Sequence, residues 1–324
     1  MLVRRWLIPL LLLPLGTLAQ QKAADSVSTD RLVFYTFAND AFFRTDYYFT
    51  QGMTLNLVLP GLRKSPVNKI LLPGPPASIR HYGVKLHYDG FTPLRIQDDT
   101  IRRGDRPYAS YIYATLYRTA TSPAAKRRLT SGLSFGFIGP AAGAKGFQTK
   151  VHELLDAPTP RGWDYQIRND VVLGYEARVE QQILAVGRAV EVIGQGQASL
   201  GTLNTFAGGG LLVRVGKMTP YFQNLGLASR ANRAGLAKFQ LYATGLAEGR
   251  LVGYNATMQG GLFNRASPYT LPASDIKRVV GQGTVSLVAA YAGLSFRTSA
   301  VWITPEFRGS RHHAWVQFGL GVAF

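Results

Sequence analysis

The chain has 324 residues, no cysteine and a formal net charge of +18, with 35 Gly, 16 Tyr and 17 Phe. The absence of cysteine excludes disulfide scaffolds, thiol nucleophiles and thiolate metal sites. Beyond residue 19 no stretch is apolar for 18 residues, which excludes a membrane protein built from spanning helices. The positive charge predicts a polyanionic partner, either nucleic acid or a phosphorylated lipid.

The N-terminal segment has the features of a secretory signal peptide. Arg4 and Arg5 precede an apolar run over 6–15, and small residues before Gln20 suit cleavage. Residues 1–19 are therefore predicted to be removed, which leaves residues 20–324 as one domain with a charge of +16. Secretion argues against nucleic acid as the partner and favours lipopolysaccharide, which carries phosphates and acidic sugars.

Short alternating runs predict strands along the whole of residues 20–324. In the last run every second residue from Val316 to Phe324 is apolar, and the residues between them are small or polar. This period of two is the wall pattern of a transmembrane β-barrel, and single-chain bacterial barrels have an even number of strands. Twelve candidate strands lie at 31–40, 50–60, 80–90, 107–119, 129–139, 166–182, 187–203, 206–218, 237–257, 279–290, 293–303 and 313–324.

The predicted fold is therefore all-β, a single twelve-stranded antiparallel transmembrane β-barrel with a short helix in an external loop. We expect it in the outer membrane of a Gram-negative bacterium. Because the chain enters from the periplasm, the first strand ends outside at Asn39 and Asp40, and the second starts outside at Thr50. The long segments 91–106 and 140–165 fall on the same external side.

Residues 144–155, within one of these segments, have helical spacing. One side of the predicted helix is apolar and consists of Phe147, Val151, Leu154 and Leu155. Gln148 and His152 are four residues apart and share another side. Ester hydrolysis without a cysteine needs a general base to take a proton from water, and His152 is the predicted base. Trp163 and Gln166 are predicted to anchor the loop where it returns to the barrel.

The stretch FANDAFFRTDYYFTQG, residues 37–52, has two interpretations that the sequence leaves open. As a hairpin loop, its Asn and Asp side chains serve turn geometry alone. Alternatively, the stretch binds calcium, which takes carboxylate, amide and hydroxyl oxygens. The predicted metal ligands are then Asp40, Asn39 and Asp46, with Thr45 and Thr50 as further oxygen donors. A cation held there stabilises the oxyanion of ester hydrolysis.

Four blocks of the sequence together resemble the outer-membrane lipid A 3′-O-deacylase family. They are FANDAFFRTDYYFTQG (37–52), GDRPYASYIY (104–113), IGPAAGAKGFQTKVHELL (138–155) and GWDYQIRND (162–170), in the family's order. The resemblance implies a twelve-stranded barrel whose external site removes the acyloxyacyl group from the 3′ position of lipid A and requires calcium. It also implies a phospholipase A2-like mechanism in which a histidine activates water.

Carried over position by position, the resemblance implies a catalytic set of Asn39, Asp40, Thr50, Gln148 and His152. Two departures from the family's pattern affect the substrate. No lysine occurs in 91–106, where a substrate-binding lysine is expected, so Arg95, Arg102 and Arg103 are its predicted replacements. Pro158 stands where some members have an acidic residue.

Two other functions remain open for such a barrel. One is a passive channel or transport barrel in which the loop of His152 constricts the pore. The other is an Asn–His–Ser lipase, which needs a serine near the histidine on adjoining strands, and the neighbourhood of His152 lacks that pattern. The predicted partners are lipid A or lipopolysaccharide in the external leaflet and no nucleic acid. A monomer is the favoured oligomeric state.

Overall fold

The computed structural model of the protein describes residues 25–43, 45, 47–233 and 237–324. The predicted signal peptide, residues 1–19, and the predicted metal ligand Asp46 lie outside the described residues, so both stay predictions. Within the described ranges, no helix combines the length and the apolar character that crossing a membrane requires.

One continuous sheet contains thirteen strands of the described chain, and twelve of these strands close into a barrel. The exception is β1, Ser26–Val27, which pairs in parallel with the start of the fourth strand. The barrel strands are β2 Leu32–Asn39, β3 Tyr48–Val58, β4 Ile79–Thr92, β5 Ala109–Ser122, β6 Arg127–Ile138, β7 Asp170–Val186, β8 Val190–Gly201, β9 Asn204–Lys217, β10 Phe239–Asn255, β11 Val279–Tyr291, β12 Leu294–Ile303 and β13 His313–Ala323. Each barrel strand is antiparallel to its neighbours, and β13 closes the ring by pairing with β2.

The predicted fold class is confirmed, and each of the twelve predicted strands corresponds to one barrel strand. The helices are α1, Ala144–Leu154, between β6 and β7, and α2, Ala256–Gln259, after β10. The predicted helix over 144–155 thus differs from α1 by one residue. Single turns of 3-10 helix occupy Ala41–Phe43, Pro60–Lys64, Pro66–Lys69, Pro140–Ala142, Gly162–Tyr165 and Arg230–Asn232.

Alternate residues of each strand face the two sides of the wall. On β13, Leu320 is exposed on the outside, whereas Gln317 and Gly319 line interior cavities. Exposed apolar residues occur around the exterior and include Phe135, Phe137, Leu173, Ile183, Leu200, Leu211, Leu241, Leu251, Val285, Leu287 and Phe296. A barrel surrounded by lipid needs such a surface, because hydrocarbon cannot hydrogen-bond to polar groups.

The two ends of the barrel are here called the Asn39 end and the Phe324 end. Strands β2, β4 and β6 all finish at the Asn39 end, so segments 37–52, 91–106 and 140–165 lie together there. Phe324 follows β13 at the opposite end. The predicted grouping of the three segments at one end of the barrel is therefore correct.

The Phe324 end of the interior is filled by residues 218–233, which follow β9. Phe222 is buried, and the Arg128 guanidinium lies 4.5 Å from the centroid of the Tyr221 ring. Arg128 also donates hydrogen bonds of 2.7 Å to the carbonyl oxygens of Tyr221 and Asn224. These contacts hold the segment inside the barrel.

The Asn39 end of the interior is crossed by a buried arginine. Arg106 donates hydrogen bonds to Glu306 at 2.6 Å and to Thr257 at 2.8 Å, and its guanidinium lies 4.2 Å from the centroid of the Phe91 ring. Between the two closures, interior cavities of about 730 and 330 Å³ remain. Within the described residues, both closures argue against the open channel considered above.

Candidate active site

Thr50 reaches the outside of the barrel because β3 contains a β-bulge. The pairing of β3 with β4 shifts register between Phe49 and Gln51, so Thr50 is an extra residue in the ladder. Phe49 lines the interior, whereas a Cβ built on Gly90 would lie 3.5 Å from both Thr50 Cγ2 and Gln51 Cγ. Thr50 and Gln51 therefore lie on the same outer face. Bulges commonly redirect side chains beside active sites.

The loop that carries α1 lies against the outer face of the wall. Thr54, His87 and Tyr111 line the interior, so their neighbours in sequence face outward. Those neighbours, Met53, Tyr88 and Ile112, pack in a buried cluster with Ala144 of α1, Tyr108 and Trp163. The candidate site is thus on the bilayer-facing side of the barrel wall and not in the lumen.

The Gln148 side of α1 is buried, whereas the leucines at the C-terminal end of the helix are exposed. Gln148 is 1% exposed, whereas Leu154 is 84% and Leu155 is 68% exposed. A helix of a soluble protein buries its apolar side instead. The exposed leucines suit a helix at a membrane interface, where apolar side chains contact lipid.

A chain of hydrogen bonds connects this loop to the barrel wall. The Trp163 indole Nε1 donates to Gln148 Oε1 at 2.7 Å, and Gln148 Nε2 donates to Thr50 Oγ1 at 3.2 Å. The Asn39 Nδ2 donates to the carbonyl oxygen of Thr50 at 2.9 Å. The structure therefore joins three predicted catalytic residues, Asn39, Thr50 and Gln148, in one connected network.

His152 follows Gln148 by one turn of α1 and is half-buried. Its Nδ1 lies 2.7 Å from the carbonyl oxygen of Pro158. A carbonyl oxygen only accepts hydrogen bonds, so Nδ1 carries the proton and Nε2 of the neutral ring is a proton acceptor. The backbone of Pro158 thus orients the imidazole.

Asn39 and Asp40 stabilise the turn between β2 and β3. Asn39 Oδ1 accepts from the Ala41 amide at 2.8 Å. Asp40 Oδ2 accepts from the Tyr47 amide at 3.2 Å and from the Thr45 hydroxyl at 3.3 Å. These are the contacts that the hairpin interpretation predicts, since Asn and Asp side chains commonly accept from backbone amides nearby.

The same hairpin contains oxygen types that fit calcium. A carboxylate at Asp40, an amide oxygen at Asn39 and a hydroxyl at Thr50 are ligands of the kind that hard cations prefer. Among the described residues, no group of three or more His, Cys, Asp or Glu is placed to hold a metal ion. A cation at this hairpin would therefore be held by Asp40 with neutral oxygens, and Asp46 is the further carboxylate of the predicted set.

Aromatic side chains fold the hairpin onto the outside of the barrel. Phe42 packs edge-on against Phe318 with ring centroids 5.3 Å apart, and Phe43 against Trp302 at 6.2 Å. The hairpin thus lies over β12 and β13, whereas the α1 loop lies over β3, β4 and β5. The outer face of β2, on which Tyr35 is exposed, lies between them. The hairpin and the α1 loop thus flank β2 on the outside of the barrel.

The three predicted substrate-binding arginines lie in the loop between β4 and β5. Arg102 contacts the carboxylates of Asp98 at 3.1 Å and Asp105 at 3.0 Å, and Arg95 contacts Asp98 at 3.5 Å. Arg103 is exposed. In the described structure none of the three donates to Thr50, Gln148 or His152, so they are candidates for contact with the headgroup and not with the reacting ester.

The predicted anchoring role of Trp163 and Gln166 agrees with their contacts. Gln166 Nε2 donates to the carbonyl oxygen of Trp163 at 3.0 Å, and the Ile167 amide donates to the carbonyl oxygen of Tyr108 at 2.9 Å. Sequence reasoning missed the second contact of Trp163, the one to Gln148. The only sign of this contact in the sequence is a tryptophan in an otherwise polar loop. It predicts that the indole is buried but does not predict which residue accepts its hydrogen bond.

The closed barrel, its apolar exterior and the polar site on its outer wall define an outer-membrane β-barrel protein. Residues 7–324 match the family model described as "Outer membrane protein LpxR". The chain therefore belongs to the LpxR family, the lipid A 3′-O-deacylase family that the four sequence blocks resemble. No curated protein matches this chain.

The structure of one LpxR protein shares the barrel fold of this chain. LpxR from Salmonella typhimurium is 19% identical and has a TM-score of 0.72, with 90% of this chain and 100% of that chain covered. The β domain of the Bordetella autotransporter BrkA is 12% identical, covers 92% of this chain and 100% of its own, and has a TM-score of 0.45. At these identities, the likeness to the Salmonella structure concerns the fold.

Proposed function

We propose that this protein is a calcium-dependent esterase that removes the 3′-linked acyloxyacyl group from lipid A of lipopolysaccharide, using water activated by His152. Membership of the lipid A deacylase family supports the reaction class. The observation that carries the mechanism is the 2.7 Å contact between His152 Nδ1 and the Pro158 carbonyl oxygen. In the neutral ring this contact leaves Nε2 as the proton acceptor, which is the tautomer that a general base at this position needs.

In the proposed reaction, Nε2 of His152 takes a proton from water as the water oxygen attacks the ester carbonyl carbon. The tetrahedral oxyanion then collapses, and the bond between this carbon and the 3′ oxygen of the sugar breaks. That oxygen takes the proton from the imidazolium. The products are a free 3′ hydroxyl and the acyloxyacyl chain as a carboxylic acid, and His152 is neutral again.

Asn39, Asp40 and Asp46 are the proposed calcium ligands, and Thr50 is beside them in the hairpin. When bound, calcium supplies positive charge near the oxyanion, where charge develops during the reaction. The buried amide of Gln148 holds the hydroxyl of Thr50 from the side of α1. Asn39 holds the Thr50 backbone through its carbonyl oxygen.

We propose that the substrate stays in the bilayer and reaches the site from the side, between the hairpin and the α1 loop, because both lie on the outer wall of the barrel. Exposed Leu154 and Leu155 at the end of α1 and exposed Phe42 on the hairpin then provide apolar contact for acyl chains. We propose that the Asn39 end faces outward, because lipid A lies in the external leaflet. Exposed Arg95 and Arg103 at this end are then placed to bind the phosphates and acidic sugars of the headgroup. Arginine suits these anions because its guanidinium is more weakly hydrated than the ammonium of lysine.

Mass spectrometry of lipid A tests this function. Lipid A is incubated with the purified, folded protein in detergent, with calcium in one sample and a chelator in the other. We expect the mass of the 3′ acyloxyacyl group to be lost with calcium and retained with chelator. Intact lipid A in the calcium sample, with a barrel that shows heat-modifiable mobility, would contradict the proposal.

A further inference from the structure

The Trp163 indole sets the direction of the hydrogen bonds between α1 and Thr50. An indole N–H donates and cannot accept, so the oxygen of the Gln148 amide must face it. The NH₂ group of Gln148 then faces Thr50 and donates to Oγ1. Since Oγ1 accepts this bond, the hydroxyl hydrogen of Thr50 remains available to donate to another group.

Burial makes this direction hard to reverse. Trp163 and Gln148 are each 1% exposed, so water cannot replace a lost partner of the indole or of the amide. A flipped Gln148 amide would set its NH₂ group against the indole N–H and leave two buried donors facing each other. Without the indole N–H, by contrast, both orientations of the amide become accessible.

The indole itself is held firmly. Its ring lies 4.9 Å from the Tyr108 ring, and Tyr108 donates from its hydroxyl to the carbonyl oxygen of Ile96 at 3.1 Å. Gln166 binds the Trp163 carbonyl oxygen from the other side. These contacts therefore fix the position of the indole N–H before any substrate arrives.

We propose that Trp163 is a positioning residue which, through Gln148, makes the Thr50 hydroxyl a hydrogen-bond donor to the oxyanion of the substrate ester. This inference rests on the proposed function and adds a donor to the charge that calcium supplies. A donor that is oriented in advance lowers the barrier because it needs no reorganisation in the transition state.

Steady-state kinetics of Trp163→Phe test the inference, because phenylalanine removes the N–H and keeps an aromatic ring against Tyr108. We expect kcat to fall by about 10-fold or more, with KM within about twofold, since the interaction operates in the transition state. Thr50→Val should lose activity and Thr50→Ser should keep it. In the Thr50→Val background, Trp163→Phe should have little further effect, because both changes remove the same donor.

Tyr291→Phe is the matched control, because Tyr291 is exposed at the Phe324 end of β11, away from α1 and the hairpin, and should be replaceable without a change in kcat. A parent value of kcat in Trp163→Phe, with an active wild-type protein, would overturn the inference and leave the proposed function intact. Full additivity of Trp163→Phe with Thr50→Val would overturn it as well.

An NMR measurement tests the hydrogen bond between Trp163 and Gln148 without relying on enzymatic activity. In protein labelled with ¹⁵N at the indole nitrogen, the signal missing from Trp163→Phe is assigned to Trp163. We expect Gln148→Leu to shift this signal and to leave those of Trp302 and Trp315 in place. An unshifted Trp163 signal overturns the inference even if the wild-type protein proves inactive on lipid A, whereas inactivity of a folded wild-type protein overturns the proposed function.

Discussion

Gly162 and Tyr108 are in contact so close that no other residue fits at position 162 without displacing the ring. A Cβ built on Gly162 would lie 2.3 Å from Tyr108 Cε2 and 3.0 Å from Cδ2. Trp163, the next residue, packs on the same tyrosine ring. The position of the indole N–H therefore depends on the absence of a side chain at the preceding residue.

Gly162→Ala should consequently lower deacylation although it adds a single methyl group. We expect a loss of about 10-fold or more in kcat, since the displaced indole no longer orients Gln148. Gly146→Ala is the matched control, because nothing lies within 4 Å of a Cβ there and alanine favours the helix. Equal kcat values for the two variants on lipid A would contradict this prediction.

His152→Ala should abolish most of the activity and leave the barrel intact. The expected loss is about 10²–10⁴-fold in rate, the range that a general base contributes. His312→Ala serves as control because His312 is exposed in the loop before β13. Assembly is checked by heat-modifiable mobility on gels. Deacylation by His152→Ala at the parent rate would rule out His152 as the base.

Asp40→Asn should fold but lose the response to calcium. Asparagine retains an oxygen that accepts from the Tyr47 amide, yet it lacks the charge that a hard cation needs. We expect a loss of roughly 100-fold or more in rate at saturating substrate. The exposed Asp99→Asn is the control for removing one charge at the same end. If Asp40→Asn retains full activity in chelator, calcium has no role at Asp40.

The filled interior predicts that the protein does not conduct ions as a porin does. Residues 218–233 occupy one end of the lumen, and Arg106 with Glu306 and Thr257 crosses the other. Purified protein inserted into planar lipid bilayers should therefore show no steady open-channel current, measured beside a porin of known conductance. A stable current proportional to the number of inserted barrels would support the channel alternative.

Asp30 should make the closure of the Phe324 end sensitive to acid. Burial raises the pKa of Asp30. The hydrogen bonds that its carboxylate accepts lower the pKa by more than burial raises it, so that the pKa is about 2 instead of 3.8; the donors are His81, Ser229, Asn232 and Ser28. A lowered pKa means that the charged form stabilises the folded state. This contribution is fully present above pH 3.8 and is lost as the pH falls toward 2.

The change from 3.8 to about 2 corresponds to roughly 2 kcal/mol in the free energy of unfolding. Asp30→Asn should therefore be less stable than the wild-type protein at pH 6, and the difference should shrink at pH 2. Urea unfolding followed by tryptophan fluorescence in detergent measures both, with Asp99→Asn as the control. A stability difference that stays constant from pH 6 to pH 2 would contradict the assignment.

The sequence by itself determined the barrel. The period-two pattern, as in Val316 to Phe324, identifies strands and their apolar faces because the alternation of side chains is a local property of extended backbone. Counting strands placed Asn39, Thr50 and His152 at one end, since antiparallel neighbours reverse direction each time. The helical spacing in 144–155 likewise predicted α1, because it depends on residues three and four positions apart.

Only the tertiary structure decided which side of the wall carries the site and how its side chains are oriented. The bulge at Thr50 arises from the pairing of β3 with β4, in which Gln51 is opposite Gly90, and Gln148 meets Thr50 from 98 residues away. No sequence pattern predicts that the Pro158 carbonyl oxygen contacts His152 or that the Trp163 indole donates to Gln148. Such contacts depend on how a loop packs against the closed ring, and local periodicity contains no information about that packing.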